Sequence, residues 1–91
     1  MNPIVKINET IDVNVTFYQT QNHQTKVLPR TFRWRGREIA IHQLGLHHII
    51  HRNDDLVHVF DVSDSANDYR LEFNARRLTW LLVSMLDGGC L

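Results

Sequence analysis

A chain of 91 residues with ten Lys and Arg, ten Asp and Glu and zero net charge has room for one small domain, burying about 60 to 65% of the surface its unfolded form exposes. At 43% apolar and 22% charged residues it is neither disordered nor collagen-like, and its charge balance excludes the strongly basic footprint of a general nucleic-acid binder. The single cysteine, Cys90, excludes an internal disulfide. The longest apolar-rich stretch, residues 80–86, is too short to span a bilayer, so the expectation is a soluble cytoplasmic chain without membrane contact.

Along the chain, residues 1–9 read as an N-terminal segment, 10–87 as one β-barrel-like domain and 88–91 as a flexible tail. In "TIDVNVTFY" the apolar Ile11, Val13, Val15 and Phe17 alternate with polar residues, the period of two that a half-buried strand requires. The polar run 19–26 is a loop. A second strand follows with Leu28, Phe32 and Trp34 on one face, and Pro29 marks it as an edge near its start. Arg35-Gly36 predict a two-residue turn that sets Trp34 opposite Arg37 and Phe32 opposite Ile39. The third strand starts at Glu38, and its apolar parity changes between Ile41 and Leu44. A bulge near His42, Gln43 or Gly45 absorbs that slip and bends the strand.

A three-residue loop at Arg52, Asn53 and Asp54 then predicts Ile50 opposite Leu56, His48 opposite His58 and Leu46 opposite Phe60. The fourth strand runs to about Val62. The fifth alternates Tyr69, Leu71 and Phe73 with Arg70 and Glu72, and after "NAR" the sixth places Leu78, Trp80 and Leu82 toward the core. "RLTWLLVSML" carries enough leucine for a helix, but it lacks an N-cap box and its Trp, Thr and Val suit a pleated surface. The expected fold is all-β, a six-stranded antiparallel meander closing into a small barrel or half-open roll.

The segment from "LPRTFRWRGREI" onward resembles a family of small uncharacterised bacterial domains with a P-x-x-F-x-W-x-G-R hairpin. Pro29, Phe32, Trp34, Gly36 and Arg37 carry the likeness, which covers residues 28 to about 87. Where the family tends to place another tryptophan about ten residues past the hairpin, this chain has His47 and His48. Some members of that family lie near DNA-damage-tolerance polymerase accessory genes, so the resemblance implies a nucleic-acid accessory role as one expectation.

Lys26, Arg30, Arg33, Arg35 and Arg37, with Arg76 and Arg77 at another turn, are the candidates for binding a polyanion, and Trp34 is a possible stacking platform. Against that, Phe32 and Trp34 fall on the core parity, and arginines on alternate strand positions simply solvate the other face. Of the six histidines, His47 and His51 lie about 13 Å apart in a strand, too far to share a metal ion, whereas His48 and His58 form a buried cross-strand pair in the expected register. Ile49, Val57, Val59, Leu81, Val83 and Met85 point away from the expected interior and form a second apolar face. Such a face needs cover, from the N-terminal "NPIVKI" or from a second copy in a two-fold dimer. No nucleophile elbow or phosphate loop is present, so neither enzyme activity nor a cofactor nor a metal is expected. The functional expectation is a non-enzymatic, self-associating interaction module, with a nucleic-acid-binding accessory module as the alternative.

Overall fold

The computed structural model describes residues 4–87. Seven strands follow in order: β1 (Ile4–Gln19), β2 (Thr25–Trp34), β3 (Arg37–Ala40), β4 (Gln43–Arg52), β5 (Asp55–Ser63), β6 (Asn67–Asn74) and β7 (Thr79–Asp87). They form one antiparallel sheet in the order β3-β2-β1-β7-β6-β5-β4. Residues 79–87 are a strand, as the Trp, Thr and Val content predicts.

The order is that of an up-and-down ring cut between β3 and β4. The two strands at the cut are joined by Ile41 and His42 alone, so the sheet curls until its two edges meet at one corner. There the Ile41 N–H donates to the Arg30 carbonyl and the His42 N–H to the Ser63 carbonyl, tacking the link to both edges. Six antiparallel steps from β3 to β4 leave those two strands running in the same direction. A parallel neighbour needs a long crossover, which two residues cannot supply, so no ladder closes the ring. Of the expected barrel or half-open roll, the closed barrel is therefore excluded and the sheet is open, and the expected third strand is corrected to two, seven in all rather than six: at Ile41–His42 the chain leaves β2 and joins β5.

Residues 4–9, expected as a separate segment covering a second face, are the first half of β1. They pair with β7 from Ile4↔Leu86 to Ile11↔Trp80, and the second half of β1 pairs with β2 from Asp12↔Arg33 to Gln19↔Thr25. Bulges at Lys6/Glu9, where Asn8 adopts φ 53°, and at Asn14/Val15 let one strand serve both halves of the roll. The expected tail 88–91, with Cys90, lies outside the described residues.

Alternation puts Ile11, Phe32, Ile39, Phe60, Val62, Tyr69, Leu71, Phe73, Trp80 and Leu82 inside. Phe60, Leu71 and Leu82 stand in one register row and are fully buried. Phe32 of β2 meets Tyr69 of β6 edge to face at 5.1 Å, joining two strands that are not neighbours in the sheet. Leu78 is corrected from core to surface: it sits in the β6–β7 turn at φ 58° and is 74% exposed.

Candidate interaction site

The arginine hairpin forms in the expected register. Arg35 and Gly36 take φ 51° and 77°, with Trp34 opposite Arg37 and Phe32 opposite Ile39. At its tip Arg35 has an acidic partner. Arg35 donates to both Glu9 carboxylate oxygens, at 3.4 and 2.6 Å, and lies over the Trp34 ring, whose Nε1 donates to Glu9 at 2.9 Å. Hydrogen bonds from Arg35 and Trp34 hold the Glu9 carboxyl below its usual range. Arg33 stands in the register between Asp12 on β1 and Glu38 on β3. Arg76 and Arg77 both bind Asp55, which also accepts from Asn74. They occupy the β6–β7 turn, which lies on the other side of β1 in the strand order from the β2–β3 turn. Lys26 is near the start of β2, Arg30 is the extra residue at the β1–β2 bulge, and Arg37 opens β3. Of the seven candidates, Arg35, Arg76 and Arg77 are thus held in ion pairs within the fold.

The expected second apolar face is also corrected. Val57 and Val59 do point away from the core, yet they are only 3% and 2% exposed. Arg52 bridges to Glu72 at 2.7 and 3.2 Å, and to reach it from its own register row it must cross the row of Val57. Arg70 pairs with Asp61 at 2.9 and 3.3 Å on the same face. These ion pairs and their aliphatic stems roof the valines. Val83 is the extra residue at the β6–β7 bulge, and the bulge returns Met85 to the core side, opposite Tyr69. Leu81 is half-buried opposite Glu72. Ile49 lies opposite His58, on the core side of the sheet rather than the second face.

A two-residue turn joins β4 to β5 in place of the expected three-residue loop. Asn53 and Asp54 take φ 51° and 68°, the left-handed pair that matches the twist of a tight hairpin. The register therefore moves by one: His47 faces Phe60, His48 faces Val59 and Ile49 faces His58. The expected buried pair His48–His58 is replaced by a diagonal pair, His47–His58, whose Nε2 and Nδ1 approach to 2.9 Å. His47 stacks on Phe60 at a centroid distance of 4.3 Å, and His58 lies 6.0 Å from Phe73. Partial burial, then the neighbouring His58 and the charges of Lys26 and His48, hold His47 below the ordinary imidazole range; burial does the same for His58.

Outside this pair lies an exposed backbone edge of the roll. No residue of β4 comes within 8 Å, Cα to Cα, of any described strand other than β5. The tight turn makes Arg52 and Asp55 a hydrogen-bonded pair, so His47, Ile49 and His51 point their N–H and C=O groups away from β5. The Leu56 carbonyl, accordingly, turns the other way and accepts from Ala75. Beside these open groups Leu46 is 72% and Ile49 49% exposed. The bulge that ends this flat stretch falls between Leu44 and His47, within the expected region, where a Cβ on Gly45 would meet the Asp61 carbonyl oxygen at 3.1 Å.

Of the other free edges, those of β2 and β3 are guarded, whereas the second half of β1 pairs with β2 alone and carries no charged residue or Pro from Val13 to Gln19, with Phe17 59% exposed. The part of β2 not covered by β3 carries Lys26, Pro29 and Arg30, and β3 has four residues, including Arg37 and Glu38. Between Gln43 and His51, β4 carries no Lys, Arg, Asp, Glu or Pro. A groove of about 450 Å³ opens on the second face among Ile4, Gly45, Asp61, Arg70, Ser84 and Leu86, with the Asp61–Arg70 pair on its wall. The described residues hold no group of three or more metal-binding side chains and no helix long and apolar enough to cross a membrane. The chain matches no protein-family model, no curated protein and no solved structure.

Proposed function

We propose that the protein is a self-associating interaction module that pairs through the outer edge of β4. The observation that carries this reading is the unguarded edge: open backbone groups on His47, Ile49 and His51, beside exposed Leu46 and Ile49. Exposed edges of this kind invite another strand. The bulge on one side and the turn on the other leave the flat segment from His47 to His51, centred on Ile49. A two-fold axis through that centre sets Ile49 against its copy and His47 against His51. The same rotation continues the core-side face of one copy into that of the next, which brings Ile49 and Leu56 out of water. In the arginine hairpin, the basis of the nucleic-acid alternative, Arg35 is already paired with Glu9 within the fold, and Arg33 stands in the register between two acidic residues, Asp12 and Glu38.

Sedimentation equilibrium over a concentration series tests the reading. The expected species has twice the chain's 10.7 kDa, and Ile49→Lys returns it to the monomer. On the two-fold axis the two introduced ammonium groups face each other as a like-charge cross-strand pair and the apolar Ile49 contact is lost, together costing about 2–3 kcal/mol, so the dimer weakens by roughly 30- to 100-fold. A monomer at every concentration, or a dimer indifferent to Ile49→Lys, overturns it.

A further inference from the structure

We propose that His47 and His58, joined by His51 from a second copy, form a site for a divalent transition-metal ion of the zinc type. This inference rests on the β4 pairing described above and goes past it to a ligand. Within one chain the geometry supplies two of the three imidazoles. His47 Nε2 and His58 Nδ1 are 2.9 Å apart on the core-side face, beside the exposed edge. Two nitrogens on one tetrahedral ion stand about 3.3 Å apart, given metal–nitrogen bonds of ~2.05 Å, so a small ring rotation converts the hydrogen-bonded pair into a chelating one. The described residues of a single chain offer no third donor. His51 lies on the same face of β4 as His47 but four residues along, and its own cross-strand neighbour is Leu56.

The two-fold pairing about Ile49 changes this. It places the second copy's His51 directly opposite His47, at about 5.5 Å between Cα atoms in a hydrogen-bonded antiparallel pair. His47 then stands between His58 on one side and the second copy's His51 on the other, three imidazoles on one face of adjacent strands. Phe60 packs against the His47 ring at 4.3 Å and limits its rotation. Imidazole donors without carboxylates or thiolates suit Zn²⁺, Co²⁺ or Ni²⁺ rather than Mg²⁺ or Ca²⁺, and water fills a fourth position. The neighbouring Lys26 ammonium opposes a cation, and the partial burial of both rings favours the neutral form that binds one. Two-fold symmetry gives one ion per chain.

Titration of the full chain with Co²⁺, read by the visible absorption of the tetrahedral ion, tests the site, with sedimentation run in parallel with and without a chelator. Wild type is expected to bind one ion per chain, and His47→Ala and His51→Ala each to abolish binding while remaining folded. An equal mixture of these two variants is decisive. Only the mixed dimer contains a complete site, so binding returns to between about a quarter and half of the wild-type stoichiometry, depending on how far the ion draws mixed dimers together. Binding by His51→Ala equal to that of wild type, or no recovery in the mixture, overturns the shared site. A wild-type dimer that takes up no Co²⁺ overturns the metal inference and leaves the strand pairing intact, whereas a monomer under all conditions removes both.

Discussion

Asp64 accepts the backbone N–H groups of Ala66 and Asn67 on one oxygen, at 2.9 and 2.8 Å, and the Tyr69 hydroxyl on the other at 2.9 Å. One carboxylate thereby shapes the β5–β6 turn and orients the ring that meets Phe32. Burial alone would raise its pKa, but the hydrogen bonds from Asn67, Ala66 and Tyr69 outweigh it and leave the group below the usual carboxylate value. A depressed carboxylate means that the unfolded chain binds more protons in acid. The stabilisation is therefore complete above about pH 5 and is lost as the pH falls below the ordinary carboxylate range near 4. Asp64→Asn should lower stability at pH 7 by about 1–3 kcal/mol, since it weakens charge-assisted bonds and unbalances the donors. Its deficit relative to wild type should narrow at pH 3. Urea unfolding of both proteins at the two pH values checks this, and a deficit that is the same at pH 3 and pH 7 contradicts it.

The β4–β5 hairpin shows how the register is set by turn chemistry as well as by alternation. With Asn53 and Asp54 both at positive φ, the turn is the type in which Asn-Gly is preferred, and Asp54 bears the larger positive angle, 68°. Asp54→Gly should remove that steric cost and raise stability by about 0.5–1 kcal/mol, read as a higher thermal midpoint with an unchanged fold. A drop in midpoint would mean that the Asp54 side chain contributes more than its backbone costs. The same turn explains which parts of the fold were legible. Period-two alternation located the strands around Ile11–Phe17, Tyr69–Phe73 and Trp80–Leu82, and Arg35-Gly36 fixed its hairpin, because each signal is local. Reading Asn53-Asp54 as a two-residue turn would have set His47 opposite Phe60 and diagonal to His58. The partner change at Ile41–His42 was visible only as a break in parity, since a bulge and a switch of neighbour leave the same trace. The roof of Arg52–Glu72 over Val57 was not legible, because it depends on β6 lying beside β5 in a particular register. The edge position of β4, on which the candidate site depends, required the whole strand order.

Because no ladder spans β3 and β4, the roll is held shut by side chains and by the one strand its halves share. β1 carries β2 and β3 on its second half and is joined to β7 through its first, so the β2–β3 hairpin hangs from the rest of the sheet at a bend. Its anchor on the inside is Phe32, 1% exposed, packed edge to face against Tyr69 on the opposite half, with Ile39 buried beside it in the register. Deleting that ring removes transfer energy and leaves a cavity that a curved sheet cannot collapse into, so Phe32→Ala should cost about 3–5 kcal/mol, a large share of the stability of a domain this small. The loss should not be spread evenly. With the anchor gone, β2 and β3 can peel from the interior while the Phe60, Leu71 and Leu82 row in β5, β6 and β7 stays packed. Native-state hydrogen exchange on the variant should show amides of Thr31, Phe32, Arg33 and Ile39 exchanging through a low-energy partial opening, and amides of Phe60 and Leu71 only through global unfolding. Equal loss of protection in both groups would show that the roll opens as one unit and that the bend in β1 is no hinge.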